Sequence, residues 1–232
     1  MKNRYIHSQN FILYWDDKNN SKKILDAGAG EQRIKKYIQN NHYISQDFGQ
    51  YEADNNSVPA DYKGTWNKKW DSKKCDIICD ITDIPLESGS IDLIVNLEVL
   101  EHLPEPVKAL KEFHRILKIG GKLLITCPNL CTPHQTPFFF YSGFSRQFFC
   151  DYIPSITNLK LIEFREEGDI LLAHLNEINA LNLGIKNFLI RNLYKLISKT
   201  YLKLIRFLLS ITRSSIPESG SGFFILYEKF IT

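Results

Sequence analysis

The sequence predicts an α/β fold: a doubly wound, mostly parallel sheet of seven strands with helices on both of its faces. Short segments that are almost continuously apolar, such as CDIICDI (75–81) and KLLITC (122–127), alternate with segments of helical periodicity. Strands that are buried on both faces have this composition, and helical connections between them favour parallel pairing. The clearest helical segment is 105–118, where apolar residues recur three and four positions apart.

The individual elements follow from their local sequence. The strands are apolar segments bounded by turn residues, and they are predicted at 24–26, 42–48, 75–81, 91–95, 122–127, 159–164 and 222–230. Helices are predicted at 3–15, 31–40, 105–118 and about 170–213. Polar residues 16–23 and the Gly- and Pro-containing residues 49–74 are expected to be loops. Gly120, in KIGG, is expected to stop the third helix. We therefore expect one domain over 1–232, in which 170–213 is a helical insertion before the last strand.

Composition and charge argue against several classes of protein. The 232 residues carry a formal net charge of +3, which is too small to predict nucleic-acid binding, so no nucleic-acid partner is expected. Five cysteines, an odd number, argue against a secreted disulfide framework. The N-terminal segment MKNRYIHSQNFILYW lacks the apolar centre of a signal peptide, and no charge-free apolar run reaches the roughly 18 residues that span a bilayer. A cytoplasmic protein is expected.

The turn after the first strand is the main candidate for a ligand site. The strand ends at Asp26, and Gly28 and Gly30 follow it closely. Such a turn occurs equally often as a plain connector, so it decides nothing alone. Two acids support a ligand: Asp47 ends the second strand, 17 positions after Gly30, and Asp80 ends the third. All of them belong to the carboxyl ends of strands, where open α/β sheets bind ligands.

The details of this turn bear on the kind of nucleotide. The chain has no G-x-x-x-x-G-K-[ST] sequence, and Arg33 stands where a dinucleotide fingerprint has its third glycine. Asp26 and Glu31 flank the turn with negative charge. These features favour a cationic ligand over a pyrophosphate.

Two stretches of the chain resemble the class I S-adenosylmethionine-dependent methyltransferases, which have a Rossmann-like fold. ILDAGAGE resembles their first motif, and residues 80–129, from DITDIPLESG to LLITCPN, resemble their region from the third to the fifth strand. The resemblance covers about residues 22–129 and continues more weakly beyond. The sequence departs from the family at Gln32, where a third glycine is frequent.

The resemblance implies S-adenosyl-L-methionine as the cofactor, and it implies roles for several residues. Asp26, Gly28 and Gly30 would line the methionyl part of the cofactor, and Asp47 would hold the ribose hydroxyls. Asp80 and Ile81 would flank the adenine. Asn96 and Leu97, at the end of the fourth strand, would lie near the sulfonium.

The acceptor side of the site is less defined. His102 and His134 follow the fourth and fifth strands, and each is a candidate base for an oxygen acceptor, with an ordinary structural role as the alternative. Tyr141 and Arg146, in the aromatic segment 132–150, are candidate acceptor-binding residues. YSGFSRQFF resembles a stretch of methyltransferases from bacterial surface-glycan gene clusters, which implies a glycan or small-molecule acceptor.

Three functions remain open. Methylation of an oxygen atom is the expected reaction. A carbon or nitrogen methyltransferase of quinone or lipid type is a second hypothesis, and a cofactor-binding scaffold without activity is a third. Residues 96–99 read NLEV, which departs from the N-P-P-[YF] sequence of enzymes that methylate the amino groups of adenine or glutamine.

The cysteines do not predict a metal site. Cys75 and Cys79, which lie in one predicted strand, are four positions apart, and so are Cys127 and Cys131. That spacing separates them by about 13 Å in an extended chain, which is too far for one ion. No metal is expected.

Residues 186–213 predict a basic amphipathic helix. No acid occurs between Glu177 and Glu218, and the basic residues from Arg191 onward fall within an arc of about 120° at 3.6 residues per turn. Three interpretations remain open: a helix docked on the domain, a homodimer contact, or a helix at the inner face of the membrane.

Overall fold

The computed structural model describes residues 6–50, 74–131, 134–135, 137–168, 187–212 and 221–230. The helices are α1 (Ile6–Lys18), α2 (Pro106–Ile116), α3 (Ile153–Ile156) and α4 (Phe188–Thr212). The strands are β1 (Lys23–Ala27), β2 (His42–Asp47), β3 (Ile77–Ile78), β4 (Ile91–Leu97), β5 (Leu117–Pro128), β6 (Leu159–Glu167) and β7 (Gly222–Lys229).

The strands form one seven-stranded sheet in the order β3-β2-β1-β4-β5-β7-β6. The first five strands of this order are parallel, and β7 runs antiparallel to both of its neighbours. The predicted fold class, a mostly parallel doubly wound sheet, is therefore confirmed. Because the chain leaves β1 toward β2 on one side and returns to β4 on the other, the carboxyl ends of β1 and β4 mark the point where the strand order reverses.

Apolar side chains cover the sheet on both faces. One face packs against α2 and contains Leu25, Ile94, Ile125, Leu110 and Phe113. The opposite face packs against α1 and contains Ile24, Leu93, Val95, Ile12 and Trp15. Alternate residues of each strand point to opposite faces, so these continuous apolar segments fill both cores.

The helix predicted at 31–40 is wrong. The structure has turns there and a single 3₁₀ turn, Lys35–Tyr37. Gln32 has a left-handed backbone with φ of 54°, which interrupts a right-handed helix at its start. The backbone N–H groups of Gln39 and Asn40 donate to the carboxylate of Asp16 at the end of α1, rather than to a helical turn.

Two other boundaries differ from the prediction. The third strand is only Ile77–Ile78, because Asp76 before it accepts hydrogen bonds from the N–H and Oγ of Ser45 instead of extending the ladder. Helix α2 ends at Ile116, before Gly120, because β5 already starts at Leu117. The remaining predicted strands coincide with β1, β2, β4, β5, β6 and β7 to within a few residues.

Helix α4 falls within the predicted insertion, of which residues 169–186 lie outside the described part. Docking of its apolar face on the domain is not observed, since the described large apolar side chains along it are mostly more than half exposed. Among the described residues, no helix has the combined length and apolarity needed to cross a bilayer. The predicted loop at 49–74 is described only at its ends.

Candidate functional site

The glycine turn after β1 is held against the end of β2. The N–H groups of Gly28 and Ala29 both donate to the carbonyl of Gln46, at 2.9 and 2.8 Å. Gly28 has φ of +76°, and a Cβ at this position would lie 2.5 Å from Cγ2 of Val99. Only glycine fits this close approach between the turn and the segment after β4.

Asp26 lies buried at the start of this turn, with 4% of its surface exposed. The hydroxyl of Tyr43 donates to its Oδ2 at 2.6 Å. Burial raises the pKa of Asp26 to about 7; the Tyr43 hydrogen bond lowers it, and the nearby Asp47 raises it. A buried carboxyl in this state favours a cationic ligand, because a positive charge beside it would restore its ionised form.

Asp47 ends β2 with its carboxylate directed at the turn. Its Oδ2 accepts a hydrogen bond from the N–H of Gly30, and its Oδ1 accepts one from the N–H of Gly49, both at 3.0 Å. These bonds fix the carboxylate while each oxygen keeps a further lone pair for a ligand hydroxyl. A hydrogen bond thus connects Asp47 with Gly30, a contact that the sequence alone did not predict.

Asp80 and Ile81 follow β3 in a turn. Oδ1 of Asp80 accepts hydrogen bonds from the N–H and the hydroxyl of Thr82, both at 2.8 Å, and the residue is exposed. The side chain of Ile81 packs into the core beside α2 and is 6% exposed. Any contact of Ile81 with a ligand would therefore involve its backbone.

Asn96 and Leu97 end β4 next to the turn. The Asn96 side chain is fully buried, and its Nδ2 donates to the carbonyl of Ala27 at 2.9 Å. This bond ties the end of β4 to the residue before Gly28. Its Oδ1 has no hydrogen-bond donor among the described residues. Leu97 packs on the α1 face of the sheet.

His102 and His134 lie together, which the sequence did not predict. Their ring centroids are 4.8 Å apart at 85°, and Nε2 of His102 is 3.9 Å from Oε1 of Glu101. The pKa of His102 is lowered to about 4, chiefly by burial and also by His134, against the hydrogen bond with Phe138, so the ring is neutral at physiological pH. The only signal in the sequence was that both histidines follow the ends of strands, and β4 and β5 are neighbours in the sheet.

The aromatic segment after β5 packs over the carboxyl end of the sheet. Phe138 lies edge-on to Phe48, which follows Asp47, with centroids 4.9 Å apart. The hydroxyl of Tyr141 donates to the carbonyl of Pro104 at 3.2 Å. The guanidinium of Arg146 lies 5.0 Å from the ring centroid of Phe164, on the edge strand β6. The segment therefore brings Phe138, but not the side chain of Arg146, to the site.

The residues at this edge fit an adenosyl cation better than a phosphate ligand. Asp26 and Asp47 are acidic groups on either side of a glycine turn that a Cβ at Gly28 would obstruct. Residues 25–125, which contain this site, match the profile of a family described as "Methyltransferase domain". This match supports the resemblance of the chain to the class I S-adenosylmethionine-dependent methyltransferases. S-adenosyl-L-methionine is accordingly its cofactor.

Similar proteins support this assignment of the methyltransferase domain. A "Probable S-adenosylmethionine-dependent methyltransferase" of Mycolicibacterium smegmatis is 36% identical over 53 residues, which are 23% of this chain and 21% of that protein. A "Ubiquinone biosynthesis O-methyltransferase" of Xanthomonas oryzae is 40% identical over 43 residues, 18% of each chain. These matches span about a fifth of the relatives' length.

A solved structure shares the fold of nearly the whole chain. The crystal structure of the [4+2]-cyclase SpnF has a TM-score of 0.55 and 15% sequence identity, and the likeness covers 97% of this chain and 81% of that one. At this identity the likeness shows the fold alone, and the site residues of the methyltransferase domain carry the functional argument.

Proposed function

We propose that this protein transfers the methyl group of S-adenosyl-L-methionine to an oxygen atom of a small molecule or glycan. The observation that carries the proposal is the pair of buried carboxyls, Asp26 and Asp47, on either side of the Gly28–Gly30 turn. The bound cofactor supplies an activated methyl group on a sulfonium, so the protein mainly has to position the acceptor.

An oxygen acceptor must also lose a proton during the transfer. The described groups after β4 and β5 that are suited to promote this loss are Glu101, His102 and His134. This cluster favours oxygen as the methylated atom, and the similarity to the O-methyltransferase of Xanthomonas oryzae points the same way. In this proposal Asp80 contacts the adenine, and Tyr141 contributes to acceptor binding at the margin of the site.

The test is turnover with a panel of acceptors. The full chain is incubated with methyl-labelled cofactor and, separately, with sugar nucleotides, free sugars, phenolic quinone precursors and phospholipids. We expect label to enter a hydroxyl of one class, with formation of S-adenosylhomocysteine. Label on carbon or nitrogen would instead support the quinone- or lipid-type alternative. Cofactor binding without transfer to any acceptor would support a non-catalytic scaffold, a hypothesis consistent with the cyclase that shares this fold.

We also propose that α4 binds an anionic membrane surface, which would bring the domain to a lipid-linked or amphiphilic acceptor. At 3.6 residues per turn, the exposed large apolar side chains of α4 other than Phe188 fall within an arc of about 140°. They are Leu189, Ile190, Leu193, Leu196, Ile197, Tyr201, Leu204, Phe207 and Leu208, with exposures from 51% to 75%.

The basic residues of α4 occupy the adjoining face. Arg191, Lys195, Lys199 and Lys203 fall within an arc of about 120° beside the apolar arc. The sequence of α4 contains no acidic residue. An apolar face immersed at the lipid boundary, with a basic face beside anionic headgroups, accounts for both arcs. Each basic residue near such a surface contributes about 1 kcal/mol.

Vesicle co-sedimentation tests the membrane proposal. We expect the full chain to sediment with vesicles that contain phosphatidylglycerol and much less with vesicles of phosphatidylcholine alone. Replacement of Leu193, Ile197 and Leu204 by Gln should abolish sedimentation, whereas Leu13→Gln, at an exposed position of α1, should not. Equal sedimentation of the triple variant would contradict the proposal. If the wild type does not bind vesicles but forms a dimer, and the triple variant is a monomer, the helix is a homodimer contact instead.

A further inference from the structure

We propose that Glu101, His102 and His134 bind one divalent first-row transition-metal ion. Each of the three residues offers one ligand atom, and these atoms lie within 4.8 Å of one another. Two imidazoles and one carboxylate on a common centre are a frequent ligand set for such ions. The sequence predicted no metal from its cysteines, and this cluster contains none of them.

The orientation of His102 matches that of a metal ligand. Its Nδ1 lies 2.6 Å from the carbonyl oxygen of Phe138, and since a carbonyl only accepts, Nδ1 carries the proton. Nε2 therefore has the lone pair, and it lies 3.9 Å from Oε1 of Glu101. Nε2 is buried and has no hydrogen-bond donor among the described residues. Metal-ligating histidines commonly have their other ring nitrogen fixed by a carbonyl in this way.

Backbone hydrogen bonds hold the turn that carries Glu101 and His102 against the segment after His134. Glu101 and His102 belong to a 3₁₀ turn, Leu100–His102, just after β4. The N–H groups of Phe140 and Tyr141 both donate to the carbonyl of Glu101, at 3.0 and 3.2 Å. These bonds clamp the segment that follows His134 onto the turn, so the loop after β5 cannot move away without losing both of them.

The donor set limits the choice of ion. The side chain of Glu101 is 1% exposed and that of His102 is 12% exposed, so a bound ion would be largely enclosed by protein. Imidazole nitrogen suits Zn²⁺, Fe²⁺, Ni²⁺ and Cu²⁺, whereas Mg²⁺, Ca²⁺ and Mn²⁺ prefer oxygen ligands. Three protein ligands leave at least one coordination position for an external oxygen.

The site would act on the acceptor, and this role rests on the proposed function. An acceptor hydroxyl that coordinates the ion would have a lowered pKa and would release its proton to solvent. The resulting oxygen anion would form the new bond to the methyl carbon, while the electron pair of the broken bond remains on the sulfur of the cofactor. His102 and His134 would then be metal ligands rather than bases.

Titration with Co²⁺ tests the site without acceptor or cofactor. The full chain is freed of metal with a chelator, and its visible absorption is followed as Co²⁺ is added and then displaced by Zn²⁺. We expect one equivalent to bind. His102→Ala and His134→Ala should each weaken binding at least tenfold, and so should Glu101→Gln. His42→Ala, an exposed histidine at the start of β2, is the matched control and should bind as the wild type does.

Several results would overturn the inference. The first is that Co²⁺ does not bind stoichiometrically, and the second is that its affinity is unchanged in the His102 and His134 variants. The third is a thiolate charge-transfer absorption that persists in these variants, because it would assign the ion to cysteine. Calorimetry with S-adenosylhomocysteine shows that each variant is folded. Full methyl transfer in the presence of a chelator would reject the role of the ion in the reaction and keep the proposed function. Metal binding without methyl transfer to any acceptor would keep the metal site and reject the proposed function.

Discussion

Among single residues, Asp47 is predicted to contribute most to cofactor affinity. Asp47→Asn removes the negative charge that accepts the N–H groups of Gly30 and Gly49 and would accept the ribose hydroxyls. The loss of a charged hydrogen bond corresponds to about 1.5–3 kcal/mol, so S-adenosylhomocysteine should bind at least tenfold more weakly by calorimetry. Asp17→Asn, whose side chain is 71% exposed, is the control and should leave binding unchanged. Equal affinity of the two variants would remove Asp47 from the site.

Asp26 predicts a pH dependence of stability. Its pKa is raised to about 7 in the folded protein from an ordinary 3.8, chiefly by burial and also by Asp47, against the hydrogen bond from Tyr43. The folded state therefore holds the proton more tightly than the unfolded state does. The stability that the protonated group contributes is fully present below pH 4 and is lost as the pH rises through 7, at about 1.4 kcal/mol per unit of pKa difference.

Urea unfolding at pH 5 and pH 8 measures this effect. Asp26→Asn keeps a neutral side chain at both values, so its stability relative to the wild type should increase from pH 5 to pH 8. A difference between the two proteins that does not change with pH would show that Asp26 does not titrate in this range. With a cationic cofactor bound, the stability of the wild type at pH 8 should approach that of Asp26→Asn, because the ligand favours the ionised carboxyl.

Gly28 and Gly120 form a matched pair for the turn. Both have φ of +76°, but a Cβ on Gly28 would meet Val99 at 2.5 Å, whereas a Cβ on Gly120 would meet nothing within 4 Å. Both alanine variants carry the backbone strain, and only Gly28→Ala adds the clash. We expect Gly28→Ala to be less stable than Gly120→Ala by about 1–3 kcal/mol in thermal or urea unfolding. Val99→Ala in the Gly28→Ala background should recover part of the loss; equal stability of the two single variants would contradict the packing described.

Among elements, the connection from β1 to β2 depends on α1. The carboxylate of Asp16 accepts the backbone N–H groups of Gln39 and Asn40 and the side-chain Nδ2 of Asn41, at 2.9, 3.1 and 2.7 Å. Asp16→Ala leaves these donors without their acceptor, so we expect a loss of about 3 kcal/mol in unfolding free energy. The neighbouring exposed acid is the control: Asp17→Ala should change stability by less than about 0.5 kcal/mol.

For the whole molecule, the sequence predicted what local patterns determine. These features are the apolar strands, the turn at Gly28 and Gly30, and the acids at the strand ends. Each of them depends on a short stretch of sequence within or directly after one strand. The helix at 31–40 failed because a long-range contact with Asp16 and the backbone of Gln32 override its helical pattern. The Glu101, His102 and His134 cluster was missed because 32 positions separate the histidines, and only the folding of the aromatic segment brings them together.

The most direct test of the account is a crystal structure of the full chain with S-adenosylhomocysteine. We predict that the ligand lies across the carboxyl ends of β1, β2 and β4, with its ribose hydroxyls on the Asp47 carboxylate and its amino acid part beside Asp26 and the Gly28–Gly30 turn. A ligand bound elsewhere on the sheet, or one whose ribose makes no contact with Asp47, would contradict it.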